Sequence, residues 1–305
     1  MNTSEVLQKA KEHLIQLEGR RFGVLEVTKP VSPDAAVNLA KIISKLSPLV
    51  GNLIEFNTVE VLNDVEDFKS IGTWKRQDPG FPDAVFISSL NPTPGMEIKA
   101  WFPLATEITA RFRDSQNHFI NENIDVALIA WLPEYLIYGQ PVILGACIVS
   151  GLSVAKARDN HYHRPPDYLV LEPNDTTART RNLQQSNTAG YKWQGTPEQF
   201  QEAQQFMQQW GENYLNYNSS AEYQQKLTTL MGRYRYRLDT NFSKIDRIRH
   251  QDIEAFKAKI YQQKFCGMAV RDWMKILASE NDILIEQALL THLSIGDIDA
   301  NLIVD

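Results

Sequence analysis

The segment between Pro82 and Lys99, which reads PDAVFISSLNPTPGMEIK, constrains the fold more than any other part of the chain. Two short apolar runs, DAVFIS and MEIKAW, flank LNPTPG, whose prolines and glycine favour a bend between two strands. Strand side chains alternate between faces, so Glu97 and Lys99 point to one face while Ile98 points to the other. The pattern predicts a β-hairpin that brings Asp83 beside Glu97 and Lys99.

This hairpin would collect two carboxylates and one ammonium at a single spot. Carboxylate oxygens suit a hard divalent cation, and the ammonium would remain available to handle a water molecule. The alternative is a solvated hairpin whose charged side chains form an exposed salt bridge.

The motif resembles the signature of the PD-(D/E)XK nuclease superfamily, which includes most type II restriction endonucleases. Pro82-Asp83 is followed by thirteen residues and then by Glu97-Ile98-Lys99, and the resemblance covers roughly residues 30–195. It implies Mg²⁺-dependent hydrolysis of double-stranded DNA, with Asp83, Glu97 and the carbonyl of Ile98 as metal ligands. Lys99 would position the attacking water.

The segment SPLVGNLIEFNTVEVLN, upstream of the motif, offers a further acidic residue. Gly51 to Glu55 resembles a Gly-x-x-x-Glu pattern that is common on a helix of this superfamily, which favours Glu55 as a fourth catalytic residue. Glu60 is the alternative, because a helical wheel places it within an apolar face, where an ionised carboxylate needs a partner. Either glutamate could also be an ordinary surface charge. The apolar face is predicted to bury Leu49, Val50, Leu53, Ile54, Phe56 and Val61.

The order of predicted elements indicates an α/β fold with a mostly helical C-terminal part. Helices are predicted at residues 5–17, 33–46 and 48–63, and apolar runs at 126–137 and 141–155 predict further strands of a central mixed sheet. With the superfamily resemblance, this predicts a restriction-endonuclease-like domain over residues 1–305, with a catalytic core at about 30–195 and helices at about 196–305.

Composition narrows the cellular setting. The chain has 305 residues, of which 43% are hydrophobic, and it contains no apolar run as long as a membrane span. The first residues are charged and amphipathic, which predicts a cytoplasmic protein without a signal peptide. Cys147 and Cys266 lack metal-ligand spacing and are expected to be packing residues in a reducing compartment.

Charge is unevenly distributed along the chain. The overall net charge is -6, yet residues 226–264 carry ten basic and four acidic side chains. Within them, GRYRYRLD alternates arginine with tyrosine, and as a strand it would place Arg233, Arg235 and Arg237 on one face. That face could contact DNA phosphates or guanine edges, although a solvated surface is as good an explanation for any single arginine.

Residues 174–195 lack apolar periodicity and are rich in side chains that can read base edges. Arginine bonds guanine bidentately, and asparagine or glutamine does the same with adenine. The alternatives are a DNA-specificity loop and a plain polar connection. The candidate DNA-binding residues here are Arg179, Arg181, Asn182, Gln184, Gln185 and Asn187.

These patterns together predict a sequence-specific DNA endonuclease of the type II restriction kind, which uses Mg²⁺ and acts on a palindromic target as a homodimer. A repair or junction-resolving nuclease of the same superfamily is the first alternative. A non-catalytic DNA-binding protein that retains the fold is the second.

Overall fold

A computed structural model gives the structure of the chain. It describes residues 1–23, 25–77, 80–105, 112, 116–161, 169–173, 191–193, 196–211, 220–234, 236–238, 245, 248–293 and 295. The chain forms two compact units. Unit 1 comprises Met1–Ala110, Ser115–Val154 and His250–Asp305, and unit 2 comprises Arg111–Asp114 and Ala155–Arg249.

The first two helices of unit 1 begin at residues that favour the N-cap position of a helix. Asn2 and Glu5 form a reciprocal capping box at the first helix, and Ser32 caps the second through the backbone N–H of Ala35. These helices are α1 (Thr3–Ile15), α2 (Pro33–Ile42), α3 (Ser47–Asn63) and α4 (Glu66–Lys69), with a 3₁₀ turn at Ile43–Leu46.

A mixed sheet of five strands forms the centre of unit 1, in the spatial order β1-β2-β3-β4-β5. All neighbouring strands are antiparallel except β3 and β4, which are parallel. The strands are β1 (Thr73–Arg76), β2 (Ala84–Ile87), β3 (Gly95–Trp101), β4 (Ile124–Pro133) and β5 (Pro141–Ser150).

The C-terminal part of unit 1 is mostly helical. It contains α8 (Gln251–Gln262), a short hairpin of β9 (Lys264–Phe265) and β10 (Met268–Ala269), α9 (Val270–Leu277) and α10 (Asp282–Leu293).

Helices cover both faces of the sheet. A methyl group added at Gly51 of α3 would lie 3.5 Å from the Cβ of Ala100, so α3 packs closely on β3. On the opposite face of β3, Trp101 meets the ring of Phe256 of α8 at a centroid distance of 6.1 Å. Successive strand residues face opposite sides, which explains why Ala100 and Trp101 contact different helices.

Main-chain segments and one side chain protect the two outer edges of the sheet. At the β5 edge, Gly19 N donates to Ile143 O at 2.8 Å, and Ile143 N donates to Arg20 O at 2.9 Å. At the β1 edge, the amide of Asn63 replaces a strand. Its Nδ2 donates to Trp74 O at 2.9 Å, and its Oδ1 accepts from Trp74 N at 2.7 Å. Polar groups left open at a sheet edge would invite pairing with another chain.

Unit 2 contains a second, smaller sheet in the order β7-β6-β8. Strands β6 and β7 are parallel, whereas β6 and β8 are antiparallel. The strands are β6 (Leu169–Pro173), β7 (Tyr191–Trp193) and β8 (Tyr236–Leu238), and the helices are α6 (Pro197–Gln208) and α7 (Ala221–Tyr234). Helix α5 (Gly151–His161) spans the boundary where the chain passes from unit 1 into unit 2.

The chain leaves unit 1 after Val154 and returns to it at His250. Within unit 1 these two points are joined, because Ser153 Oγ and His250 Nε2 form a hydrogen bond at 2.9 Å. Ser153 Oγ also lies 2.6 Å from Ser150 O, to which it donates. Residues 155–249 are therefore an insertion whose ends are held side by side by unit 1.

The coarse sequence prediction is confirmed: the fold is α/β, with a mixed sheet flanked by helices and a helical C-terminal part. The long segment of unit 2 begins after Val154 and ends before His250. The assignment of residues 1–305 to one endonuclease domain stays a prediction. No helix in the described parts of the chain is long and apolar enough to cross a membrane.

Two local predictions need correction. GRYRYRLD is not one strand: Arg233 lies in the last turn of α7, and only Tyr236–Leu238 form a strand. The three arginines therefore cannot share a strand face. Residues 174–195, for which a DNA-specificity loop and a plain polar connection are the two predictions, contain β7, whose Tyr191 and Trp193 are typical strand formers.

We expect Asn63→Ala to lower the free energy of unfolding by about 1–3 kcal/mol, because it leaves both polar main-chain groups of Trp74 without their partner. Urea denaturation would measure the change. Asn52→Ala, at an exposed position of the same helix, is the matched control and should stay within about 0.5 kcal/mol of the parent. Equal stability of the two variants would contradict this role for Asn63.

Candidate active site

Strands β2 and β3 separate at Asp83. Their pairing comprises Val85 with Gly95 and Ala84 with Met96. At the next position side chains replace the ladder: Asp83 N donates to Glu97 Oε2 at 3.1 Å, and Ile98 N donates to Asp83 Oδ2 at 2.7 Å. The two strands thus form a fork whose polar main-chain groups are satisfied by two carboxylates.

Pro82 and Gly95 explain why the fork opens here. Pro82 has no backbone N–H with which to continue the ladder. A methyl group at Gly95 would lie 2.6 Å from Pro82 Cγ and 3.2 Å from Ile124 Cγ1, too close for a real Cβ atom. Glycine therefore allows the proline ring to pack directly on the start of β3.

Lys99 joins the two carboxylates of the fork. Its Nζ lies 3.1 Å from Asp83 Oδ2 and 2.5 Å from Glu97 Oε1. Burial alone would lower the pKa of Lys99, but the carboxylates of Glu97 and Asp83 outweigh it, so this pKa is raised. The raised pKa favours the charged form of Lys99, which is a hydrogen-bond donor.

Glu97 is the most enclosed of the three acidic residues near the fork, with 6% of its surface exposed. Its pKa is raised, chiefly because burial disfavours the charged form. The nearby Lys99 ammonium opposes that shift, and the charge of Asp83 adds to it. A buried carboxylate of this kind gains from any further cation.

Glu55 reaches the same cluster from α3. It follows Gly51 by one helical turn, at the place where that helix packs closely on β3. Burial raises the pKa of Glu55 to about 7, with a further contribution from the charge of Asp83. Lys99 and Arg76 oppose the shift, and Arg76 Nη2 lies 3.7 Å from Glu55 Oε2.

The alternative acidic residue, Glu60, is exposed. The helical wheel that placed it in an apolar face was wrong, because Leu49 and Phe56 are also about half exposed. The side of α3 that faces the core is rotated from the predicted one. It consists of Val50, Gly51, Ile54, Thr58, Val59 and Leu62.

Sequence reasoning missed the residues that β1 contributes. Arg76 ends β1 opposite Ala84, one position from Asp83 in the neighbouring strand. The run TWKR contains Thr and Trp, which favour strands. Four residues are too few for this pattern to predict a strand.

The predicted DNA-binding residues are only partly described, and all of them belong to unit 2. Arg233 is exposed at the end of α7, with its guanidinium 5.2 Å from the centre of the Phe206 ring. Arg237 lies in β8, where its Cα is opposite that of Glu172 in the neighbouring strand β6. The other candidates lie outside the described residues, namely Arg179, Arg181, Asn182, Gln184, Gln185, Asn187 and Arg235.

The donor chemistry of the fork fits a hard divalent cation such as Mg²⁺, which prefers carboxylate and carbonyl oxygens. Three carboxylates, those of Glu55, Asp83 and Glu97, lie near two cations among the described residues, Lys99 and Arg76. Burial is the main cause of the raised pKa of Glu55, and the charges of Asp83 and Glu97 add to it. Among the described residues, no group of three or more His, Cys, Asp or Glu side chains is assembled as a metal site.

Comparisons of the chain with protein-family models, curated proteins and solved structures find no match in any of the three.

We expect Glu55→Gln to stabilise the metal-free protein at alkaline pH. The folded-state pKa of about 7 exceeds the ordinary glutamate value of 4.5, so folding favours the neutral form. The stability associated with this group is greatest below pH 4.5 and is lost as the pH rises through 7. Glutamine stays neutral, so the melting temperature of the variant should exceed that of the parent by about 2 °C or more at pH 8.

Thermal melting at pH 5 and pH 8 would measure this difference, which should shrink at the lower pH. Glu60→Gln, on the exposed side of α3, should not reproduce the gain. A Glu55→Gln variant that is less stable than the parent at pH 8 would show that ionised Glu55 is favourable in the fold.

Proposed function

We propose that this protein is a Mg²⁺-dependent, sequence-specific endonuclease of double-stranded DNA, of the type II restriction kind and with a restriction-endonuclease-like fold. The observation that carries the proposal is the convergence of Asp83, Glu97 and Lys99 at the fork between β2 and β3. The resemblance to the PD-(D/E)XK signature requires these three residue types at one place. The half-buried Glu55, whose pKa is raised by burial and by the charge of Asp83, adds support.

In this proposal Asp83 and Glu97 hold the metal, aided by Glu55 or by the carbonyl of Ile98. A bound Mg²⁺ would stabilise charge on the phosphate and lower the pKa of a water. Lys99 orients the attacking water by donating a hydrogen bond to its oxygen. Because its ammonium stays charged, it also favours the hydroxide form of that water.

The expected products carry 5′-phosphate and 3′-hydroxyl ends, as the resemblance implies. A palindromic target would require a twofold homodimer, because each half-site then meets an identical surface. A cytoplasmic location would suit an enzyme that acts on DNA.

The two alternatives differ in what they do to DNA. A repair or junction-resolving nuclease would act with little regard to sequence and would prefer branched or damaged DNA. A non-catalytic DNA-binding protein would bind DNA without breaking it. Cleavage of plasmid, phage and branched DNA in the presence of Mg²⁺ separates all three functions.

We expect Asp83→Asn and Glu97→Gln to abolish Mg²⁺-dependent plasmid nicking, because each removes a carboxylate proposed to hold the metal. Lys99→Met should reduce the cleavage rate by about 10²–10³-fold, the usual cost of removing one preorganised charged hydrogen-bond donor. Gel analysis of supercoiled plasmid would measure all three rates. Asp64→Asn, at an exposed position just after α3, is the control and should cleave normally.

Folding of each variant would be checked by circular dichroism. Full activity of folded Asp83→Asn or Glu97→Gln would overturn the assignment of the site. Isothermal titration calorimetry would test the division of roles. A folded Lys99→Met variant that cleaves normally, or one that loses cleavage because it no longer binds Mg²⁺, would contradict the role given to Lys99.

We further expect phosphate anchoring and base reading to involve different residues of unit 2. Arg235→Gln, like Arg233→Gln, should weaken binding to all sequences alike and lower the salt slope by about one, as loss of a phosphate contact does. Gln184→Ala and Arg181→Ala should instead cost about 1–3 kcal/mol of discrimination at one base position. Binding to matched and single-mismatch duplexes at several salt concentrations would measure both effects.

The reverse result, with relaxed specificity in Arg235→Gln and unchanged discrimination in Gln184→Ala, would exchange the two roles. Unchanged binding in all four variants would identify both segments as ordinary solvated surface.

A further inference from the structure

Gln77, the residue after β1, holds the main chain of the Pro82-Asp83 motif at two points. Its backbone N donates to Asp83 O at 2.8 Å. Its side-chain Nε2 donates to Pro82 O at 3.0 Å. The backbone contact extends the ladder between β1 and β2 by one position, whereas the side-chain contact reaches back to the preceding carbonyl.

The Pro82 carbonyl and the Asp83 N–H belong to the same peptide group, which is planar and rigid. At one end of this plane the carbonyl accepts the hydrogen bond from Gln77 Nε2. At the other end the N–H donates to Glu97 Oε2 at 3.1 Å. A rotation of the peptide at one end must therefore move the hydrogen-bond donor at the other.

We propose that Gln77 is a positioning residue, which sets the orientation of the Glu97 carboxylate through the Pro82-Asp83 peptide plane. The expected effect of Gln77 on DNA cleavage rests on the endonuclease function proposed above. Its expected effect on the orientation of the Glu97 carboxylate does not. Gln77 acts only on the peptide group that restrains the buried carboxylate.

The two contacts of Gln77 separate positioning from stability. Replacement of the side chain keeps the backbone hydrogen bond to Asp83 O, so β1 and β2 remain paired. Only the hold on the Pro82 carbonyl is lost. The neighbouring Gly80 leaves room for this side chain, since a methyl group there would lie 2.7 Å from Gln77 Cβ.

The experiment compares the full-length parent with Gln77→Met and Gln77→Glu, which keep the length of the side chain but lack its N–H donors. Gln16→Met, at an exposed position after α1, is the matched control. Selective [¹⁵N]aspartate labelling would report the Asp83 amide, which Asp83→Asn identifies by its loss. Glu97→Gln would show where this resonance lies when the charged acceptor is absent.

Both Gln77 variants should move the Asp83 amide resonance toward its position in Glu97→Gln. Their kcat for plasmid cleavage should fall by about tenfold, the effect expected when one hydrogen bond no longer orients a catalytic group. The KM for DNA should stay within about twofold, because no DNA contact is removed. Gln16→Met should leave the resonance, kcat and KM unchanged.

Gly80→Ala provides a second route to the same displacement, because it pushes on Gln77 without changing it. It should shift the Asp83 resonance in the same direction, and it tests the proposal if the Gln77 variants do not fold.

Each outcome separates the two proposals. A parent protein that cleaves no DNA, but whose Asp83 resonance responds to Gln77→Met, would overturn the endonuclease function and support the positioning role. An Asp83 resonance unchanged in Gln77→Met and in Gly80→Ala would overturn the positioning role, whether or not kcat falls.

Discussion

The hydrogen bond from the Ile98 N–H to the Asp83 carboxylate is the interaction on which the site depends. It satisfies a backbone donor that would otherwise pair with β2, so the two strands can part without leaving a buried polar group unpaired. The reciprocal bond from Asp83 N to Glu97 completes the exchange of main-chain for side-chain partners. The carboxylates are thereby tied to the sheet, which makes their separation a property of the strands and not of flexible side chains.

Burial and the neighbouring cations act in opposite directions within this fork. Enclosure raises the pKa values of Glu55 and Glu97, whereas Lys99 favours the ionised form of both and Arg76 favours that of Glu55. As a result, the carboxylates remain available to bind a cation. The Lys99 ammonium between them stays charged, because its pKa is raised. Such pairs of opposed perturbations are typical of functional sites, although ion-pair networks with structural roles also produce them.

Sequence reasoning located the fork because its signals are local. Alternation on either side of a Pro- and Gly-containing turn was sufficient to pair Asp83 with Glu97 and Lys99. It could not decide between Glu55 and Glu60, because that depends on which side of α3 meets β3, and the exposed Phe56 misled the helical wheel. Gln77 was missed for another reason. Its effect passes through a peptide plane formed five residues later, and no residue pattern marks such a contact.

The hydrogen bond between Ser153 and His250 affects how readily residues 155–249 can change in sequence and length during evolution. It joins the two ends of residues 155–249 within unit 1, which already supports both ends. The entropic cost of closing such a connection grows only with the logarithm of its length, by about 0.6 kcal/mol for each doubling. Insertions, deletions and substitutions can therefore accumulate between these ends at little cost to the sheet that carries Asp83 and Glu97. In evolutionary terms, the inserted segment can change while the fork is inherited intact.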